Sequence, residues 1–507
     1  MELILQSAWN GLGLMFSWPN IAYPIIGTLL AMVFAFLPGL SGVTLMALAI
    51  SFTLSWDPLP AMLLFGALVG GATFMGSVTA ILFNIPGTSP SAATMIDGFP
   101  MAEQGLARTA IGCSAMSSAL GSSFGVFVLI LLLPVMRETI LAFGSAEFLM
   151  LTICGLATIA AVTRGSLIKG LAAAGIGMLI SFVGFDSRTA ELRYTFGSEY
   201  LRDGFTVIPV FLGFYAVAEV IHRAITGRRT ISGKSRADEL SGSLIEGAMS
   251  VFRHFGLFIR SSTIGTLIGM IPAVGGTVAS FVAYGHAVQS AGKDRGKFGR
   301  GDIRGVIAPE AAHDAKDGAS LVPTLAFGIP GSEGAALLLA MMTLHGLAPG
   351  RELMTTRLDL VFALIWSLFL SNWLTSIIGV MTVGHLARLT VLRTQLLVPV
   401  IVSLAALGAF VYKNRIEDVA VAFGFGVVGY YFKKYGWPRI PLVIALVLGP
   451  LFETSLQITL QLQRLGRINF WTRPVVLGLG VLTVVTLVLP FLRSFRTRTR
   501  TSLDDQI

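Results

Sequence analysis

Apolar residues run through this chain in blocks long enough to cross a bilayer, and polar residues are confined between them. The blocks fall at about 20–37, 43–56, 60–84, 107–135, 146–163, 166–185 and 205–225. After a polar stretch at 227–250 they resume at about 255–271, 276–291, 318–345, 358–386, 395–411, 416–432, 440–461 and 474–493. A spanning helix needs about 20 apolar residues. The pattern predicts an all-α polytopic membrane protein of roughly 11–13 transmembrane or re-entrant helices, the short blocks serving as half-helices. It divides into 1–226, a first transmembrane repeat; 227–250, a cytoplasmic polar linker; 251–493, a second transmembrane repeat; and 494–507, a cytoplasmic tail.

Four of the apolar stretches are broken by Pro-Gly or Gly-Gly motifs. Pro38-Gly39-Leu40-Ser41-Gly42 is followed by Asn84-Ile85-Pro86-Gly87-Thr88; later, Pro272-Ala273-Val274-Gly275-Gly276 is followed by Gly328-Ile329-Pro330-Gly331-Ser332. Proline removes a backbone donor, so each break frees polar groups that lipid cannot satisfy. Such breaks persist where protein or a water-filled cavity covers them, and a matched pair in two halves points to a transporter's binding site. The halves also share Ile26-Gly27-Thr28-Leu29 and Ile264-Gly265-Thr266-Leu267. The offset between the halves is 272 − 38 = 234 at the first break and 330 − 86 = 244 at the second, and the extra residues fit a charged insertion from Lys293 to Arg304.

A half-helix N-terminus presents unpaired N–H groups and a partial positive charge, which suits an anion. The substrate-binding residues expected on this basis are Gly39, Leu40, Ser41 and Gly42 at the first break and Pro86, Gly87, Thr88 and Ser89 at the second. Gly275, Gly276 and Thr277 follow at the third, and Pro330, Gly331 and Ser332 at the fourth. Gly87 and Gly331 should let backbone approach the ligand or a coupling cation, whereas Gly125, outside the motifs, should tolerate a side chain better unless it is a tight packing point. Exposed carbonyls at the opposite half-helix ends suit Na+, with Asn84 beside them; the remaining ligands are not specified by the sequence. Asp97, Glu310, His313 and Asp314 are further ion-coupling candidates, because ionisable groups at membrane depth are costly. Lys316 and Asp317 are expected in a solvated loop at the interface.

Composition agrees with the blocks. Only 12% of the residues are charged, against about 25% in a soluble domain. The net charge of +9 does not imply nucleic acid. Arg228, Arg229, Lys234 and Arg236, and then Arg493, Arg496, Arg498 and Arg500, form short basic clusters, so both segments are placed in the cytoplasm. Cys113 and Cys154 lie in apolar sequence and read as buried small side chains. Glu2 without a basic N-terminal region predicts no cleaved signal peptide.

Two motifs suggest enzymes. Gly233-Lys234-Ser235 resembles the end of a phosphate loop, but Arg228 stands where the leading glycine belongs. Gly39-Leu40-Ser41-Gly42 has the form found around the nucleophile of intramembrane serine proteases. The second repeat places Gly275 at the position of Ser41, so a role shared by both repeats is a backbone role. No enzyme activity and no organic cofactor are expected.

The motifs and their order resemble the large membrane subunit of the tripartite tricarboxylate transporters, the TctA family. The matching stretches include 38–42, 84–87, 94–98, 271–276, 298–301, 308–312, 323–325, 328–332, 346–350 and 448–453. The resemblance implies a bacterial inner-membrane permease importing citrate or a related organic carboxylate by symport with Na+ or H+. It also implies two partners, a small TctB-like membrane subunit and a periplasmic TctC-like binding protein. Ala273 and His313-Asp314 depart from the family pattern, which often has glycine and paired asparagines there. The competing readings are a partner-independent transporter of another anion and the intramembrane protease.

Overall fold

The computed structural model describes residues 2–36, 42–162, 167–186, 191–226, 241–272, 274–389 and 394–488. Gly39, Leu40 and Ser41, the basic cluster at 228–236 and the C-terminal tail lie outside these residues. The described chain is almost entirely helical. In the first half the helices are α1 Glu2–Phe16, α2 Ala22–Phe36, α3 Gly42–Thr53, α4 Pro58–Gly71, α5 Thr73–Phe83 and α6 Ser91–Glu103. They continue with α7 Ala107–Ala142, α8 Ser145–Val162, α9 Leu167–Ser181, α10 Val207–Phe211 and α11 Ala218–Thr226. A π-helical turn, Leu212–Val217, joins the last two. The second half has α12 Leu244–Arg253, α13 Phe255–Gly269, α14 Gly275–Ser290, α15 Arg304–Phe327, α16 Glu333–Leu344 and α17 Arg351–Thr356. It ends with α18 Leu358–Leu389, α19 Thr394–Lys413, α20 Ile416–Lys434, α21 Ile440–Arg464 and α22 Pro474–Val488. A two-residue hairpin, β1 Gly184–Phe185 with β2 Leu192–Arg193, is the single sheet among the described residues.

Four described helical segments are long and apolar enough to cross a membrane: Pro58–Phe83, Ala107–Leu141, Leu358–Val383 and Ile440–Arg464. The shorter apolar helices include α2, α3, α9, α13 and α16, in keeping with the expected half-helices.

The helices of the two halves interlock with matching contacts. The α2 helix lies on α4 as α13 lies on α15, and α1 lies on α18 as α12 lies on α7. Each long helix crosses over: α7 packs on α15, and α18 packs on α4. The half-helices also exchange, α16 packing on α3 and α14 on α6. The last part of the interval 227–250, assigned to a linker, is the amphipathic α12, which buries Gly247, Ser250 and Val251.

Small residues make the crossings close. A Cβ at Gly125 of α7 would stand 2.2 Å from the Ala315 carbonyl oxygen of α15, and one at Gly121 would stand 2.7 Å from that of Ala311. Glycine there lets two backbones touch, as membrane helices require when lipid gives no hydrophobic drive. Gly125 is therefore a tight packing point, the case in which it is not expected to tolerate a side chain.

The α15 helix corrects an expectation. The apolar run in the sequence begins at 318, yet the helix starts at Arg304, and Glu310, His313, Asp314, Lys316 and Asp317 are all buried within it. Lys316 and Asp317 thus do not sit in a solvated loop. Hydropathy fails because α15 is enclosed by α7, α13 and α14 and not by lipid. Its polar residues need protein partners, which those helices supply.

Candidate functional site

The second and fourth breaks are built alike. The α5 helix ends at Asn84 and α15 ends at Gly328, both in the left-handed region, with φ of 54° and 68°. The chain then doubles back through Pro86-Gly87 and Pro330-Gly331. The Gly87 N–H donates to the Gly76 carbonyl at 3.1 Å, and the Gly331 N–H donates to Thr324 Oγ1 at 3.3 Å. A Cβ at Gly87 would lie 2.7 Å from Gly76 Cα, and one at Gly331 would lie 2.8 Å from Ser320 Cβ. These glycines seat each break against its preceding helix, and their N–H groups are used there.

The N-termini beyond the breaks converge. A cavity of about 420 Å³ is lined at the start of α3 by Gly42 and before α6 by Thr88, Ser89 and Pro90. Gly275, Gly276 and Thr277 line it at the start of α14, and Ser332, Glu333 and Gly334 at the start of α16. Ser332 caps α16, its Oγ accepting from the Ala335 N–H at 3.2 Å. Ser91 Oγ accepts from the Thr88 N–H at 3.2 Å and donates to the Thr88 carbonyl at 2.7 Å, fixing the turn into α6. Gly275 has φ +74° and open space beside it, a conformation glycine accepts without strain. Each N-terminus carries a partial positive charge, so the cavity wall favours an anion.

Side chains add charge of both signs. Lys316 forms a buried ion pair with Asp317, and Thr73 Oγ1 donates to Asp317 Oδ2 at 3.2 Å. Arg439, beside the start of α21, donates from Nη1 to the Phe214 carbonyl at 3.0 Å, and its guanidinium carbon stands 5.3 Å from the Tyr215 ring centroid. Tyr215 belongs to the π-helical turn. Three buried polar atoms on lining residues have no protein partner: Thr88 Oγ1, Tyr215 Oη and His313 Nδ1. Unpaired buried polar groups are rare in folded proteins; these three atoms are themselves shielded within the protein, although their residues line the cavity.

Of the residues expected from sequence, Gly42, Thr88, Ser89, Gly275, Gly276, Thr277, Ser332 and His313 line the cavity. Pro86, Gly87, Pro330 and Gly331 do not, and neither do Asn84, Asp97, Glu310 and Asp314. Asn84 serves as a helix cap. Asp97 accepts from the Gly301 and Asp302 N–H groups at 2.9 Å each and from the Tyr284 hydroxyl at 2.9 Å, which clamps the approach to α15. Glu310 accepts hydroxyl hydrogen bonds from Ser77 at 2.6 Å, Ser114 at 2.8 Å and Thr94. The sequence reading missed Thr73, Lys316, Asp317, Tyr215 and Arg439 as cavity residues.

Half-helices whose N-termini meet at one cavity, inside a bundle of membrane helices, are the architecture of a multi-pass membrane transport protein. Residues 21–444 match the tripartite tricarboxylate transporter TctA family, and the chain belongs to it. The family is a transporter family whose members form the large subunit of a system with other subunits. The chain is 31% identical over 481 residues to an uncharacterized 52.8 kDa protein in the TAR-I ttuC' 3' region of Agrobacterium vitis, covering 94% of this chain and 95% of that one. It is 32% identical over 235 residues to a protein in the TAR-II ttuC' 3' region of the same organism, covering 46% of this chain and 97% of that one. No solved structure matches.

Proposed function

We propose that this chain moves an organic carboxylate, a tricarboxylate such as citrate among the candidates, across the bacterial inner membrane through the 420 Å³ cavity. The observation that carries this reading is the convergence of four half-helix N-termini with Lys316 and Arg439 on that one cavity. The N-termini supply diffuse positive charge, and Arg439 offers a planar donor pair of the kind that fits a carboxylate.

In this reading a periplasmic binding protein delivers the substrate, a small membrane subunit completes the permease, and a Na+ or H+ gradient drives uptake. The interlocked repeats support alternating access, in which one set of half-helices moves against the other around the site. The cytoplasmic placement of the tail follows from its arginines alone.

Uptake of radiolabelled citrate and other carboxylates into proteoliposomes holding all three components tests this reading. Accumulation against a gradient that disappears with Arg439→Ala supports it. Uptake that requires no partner, or that Arg439→Ala leaves unaltered, rejects it.

A further inference from the structure

The α15 helix carries two carboxylates one turn apart, Glu310 and Asp314, and packs on α7, which carries Ser114, Ser118 and Ser122 at the same four-residue spacing. The first pair is satisfied, since Ser114, Ser77 and Thr94 all donate to Glu310. The second is not. Asp314 is 0% exposed and neither of its carboxylate oxygens has a hydrogen-bond partner. The neighbouring Ser118 hydroxyl is buried without a partner in hydrogen-bond geometry, and so is that of Ser122. The nearest cation along α15, Lys316, is paired with Asp317. A buried carboxylate without a partner is far costlier than one that is paired or neutralised.

We infer that Asp314, with the hydroxyl oxygens of Ser118 and Ser122, binds a sodium ion between α7 and α15. Oxygen ligands alone suit a hard cation. One carboxylate with neutral oxygens balances a single positive charge, and Glu310 is already engaged. Protonation of Asp314 is the competing way to neutralise it, and it predicts no saturable Na+ binding at this position. The inference rests on the gradient-driven reading above and gives the coupling ion a place. It also supplies a link: His313 and Lys316, on either side of Asp314 in the same helix, line the cavity. An ion that holds α15 against α7 therefore bears on the cavity wall, which is a coupling between two sites on one element.

The test is binding of radioactive ²²Na+ to the purified full-length chain in detergent, with choline as the replacement cation. Binding should saturate, and Asp314→Asn and Ser118→Ala should each weaken it by at least about tenfold. Ser123→Ala should not weaken it, because Ser123 bonds its own helix at the Ala119 carbonyl, 2.7 Å away. Should Asp314→Asn fail to fold, Ser118→Ala decides the matter. No saturable Na+ binding by the native chain, or binding indifferent to both variants, overturns the site. Citrate binding measured on the same preparation separates the two readings. Asp314-dependent Na+ binding without any carboxylate binding overturns the substrate and leaves the ion site standing.

Discussion

Asn84 and Gly328 close equivalent helices in the same left-handed conformation, and the offset between them is the same 244 residues that separates Pro86 from Pro330. Asparagine tolerates this region through local hydrogen bonding, and glycine through the lack of a Cβ. A Cβ at Gly328 would also approach Pro349 Cγ to 2.9 Å. Gly328→Ala should therefore lower stability by about 1–2 kcal/mol, and Asn84→Gly should be nearly neutral. Thermal unfolding of both variants in detergent checks the contrast. Equal effects would mean that the two caps are not equivalent.

The interlocked packing makes a second prediction. Gly125→Val drives a side chain into the α15 backbone at Ala315. Gly424→Val, on α20, meets nothing within 4 Å. The first variant should fail to give a monodisperse protein in size-exclusion chromatography, and the second should elute as the native chain does.

Asp97 yields a third. Its three donors tie α6 to the loop before α15 and to α14. Losing hydrogen bonds to a buried carboxylate costs about 1–3 kcal/mol each. Asp97→Ala should lower the melting temperature, while the protein that remains folded keeps the Na+ binding proposed at Asp314. A changed ion stoichiometry in Asp97→Ala would return this residue to the coupling machinery.

Part of this site is legible in the sequence, and the reason is local. Proline and glycine write helix breaks directly into the chain, so Gly42, Thr88, Gly275 and Ser332 can be found by inspection. The repeat is legible for the same reason, because broken helices recur in order. The charged lining is not. Lys316 and Asp317 sit among polar residues that resemble a solvated loop until α7, α13 and α14 are seen to enclose them. Tyr215 owes its place to a π-helical turn over Leu212–Val217, which carries no sequence signature. Arg439 follows Gly436-Trp437-Pro438, a stretch that reads as an ordinary connection between two apolar runs. Gly87 and Gly331 are conspicuous in the sequence beside their prolines, but the sequence does not say which neighbour a glycine admits. Gly331 admits the preceding helix, and Gly87 admits both the preceding helix and the Ala35 carbonyl of α2.

Lys316 and Asp317 allow stability and binding to be separated. The pair is buried, and removing one partner strands the other charge, at a cost of about 3–5 kcal/mol. Lys316→Met leaves Asp317 with the Thr73 hydroxyl, and Asp317→Asn leaves Lys316 unneutralised at the cavity wall. Both single variants should melt well below the native chain. Replacing both residues removes both charges, and such double replacements are often close to neutral. Lys316→Met with Asp317→Asn should therefore recover most of the lost melting temperature. Binding should not recover, because the cavity has lost the lysine that would face a carboxylate. The measurement is thermal unfolding paired with radiolabelled citrate binding on the same samples. Recovery of both in the double variant would make the pair a structural contact only, and Arg439 with the helix N-termini would then hold the anion alone.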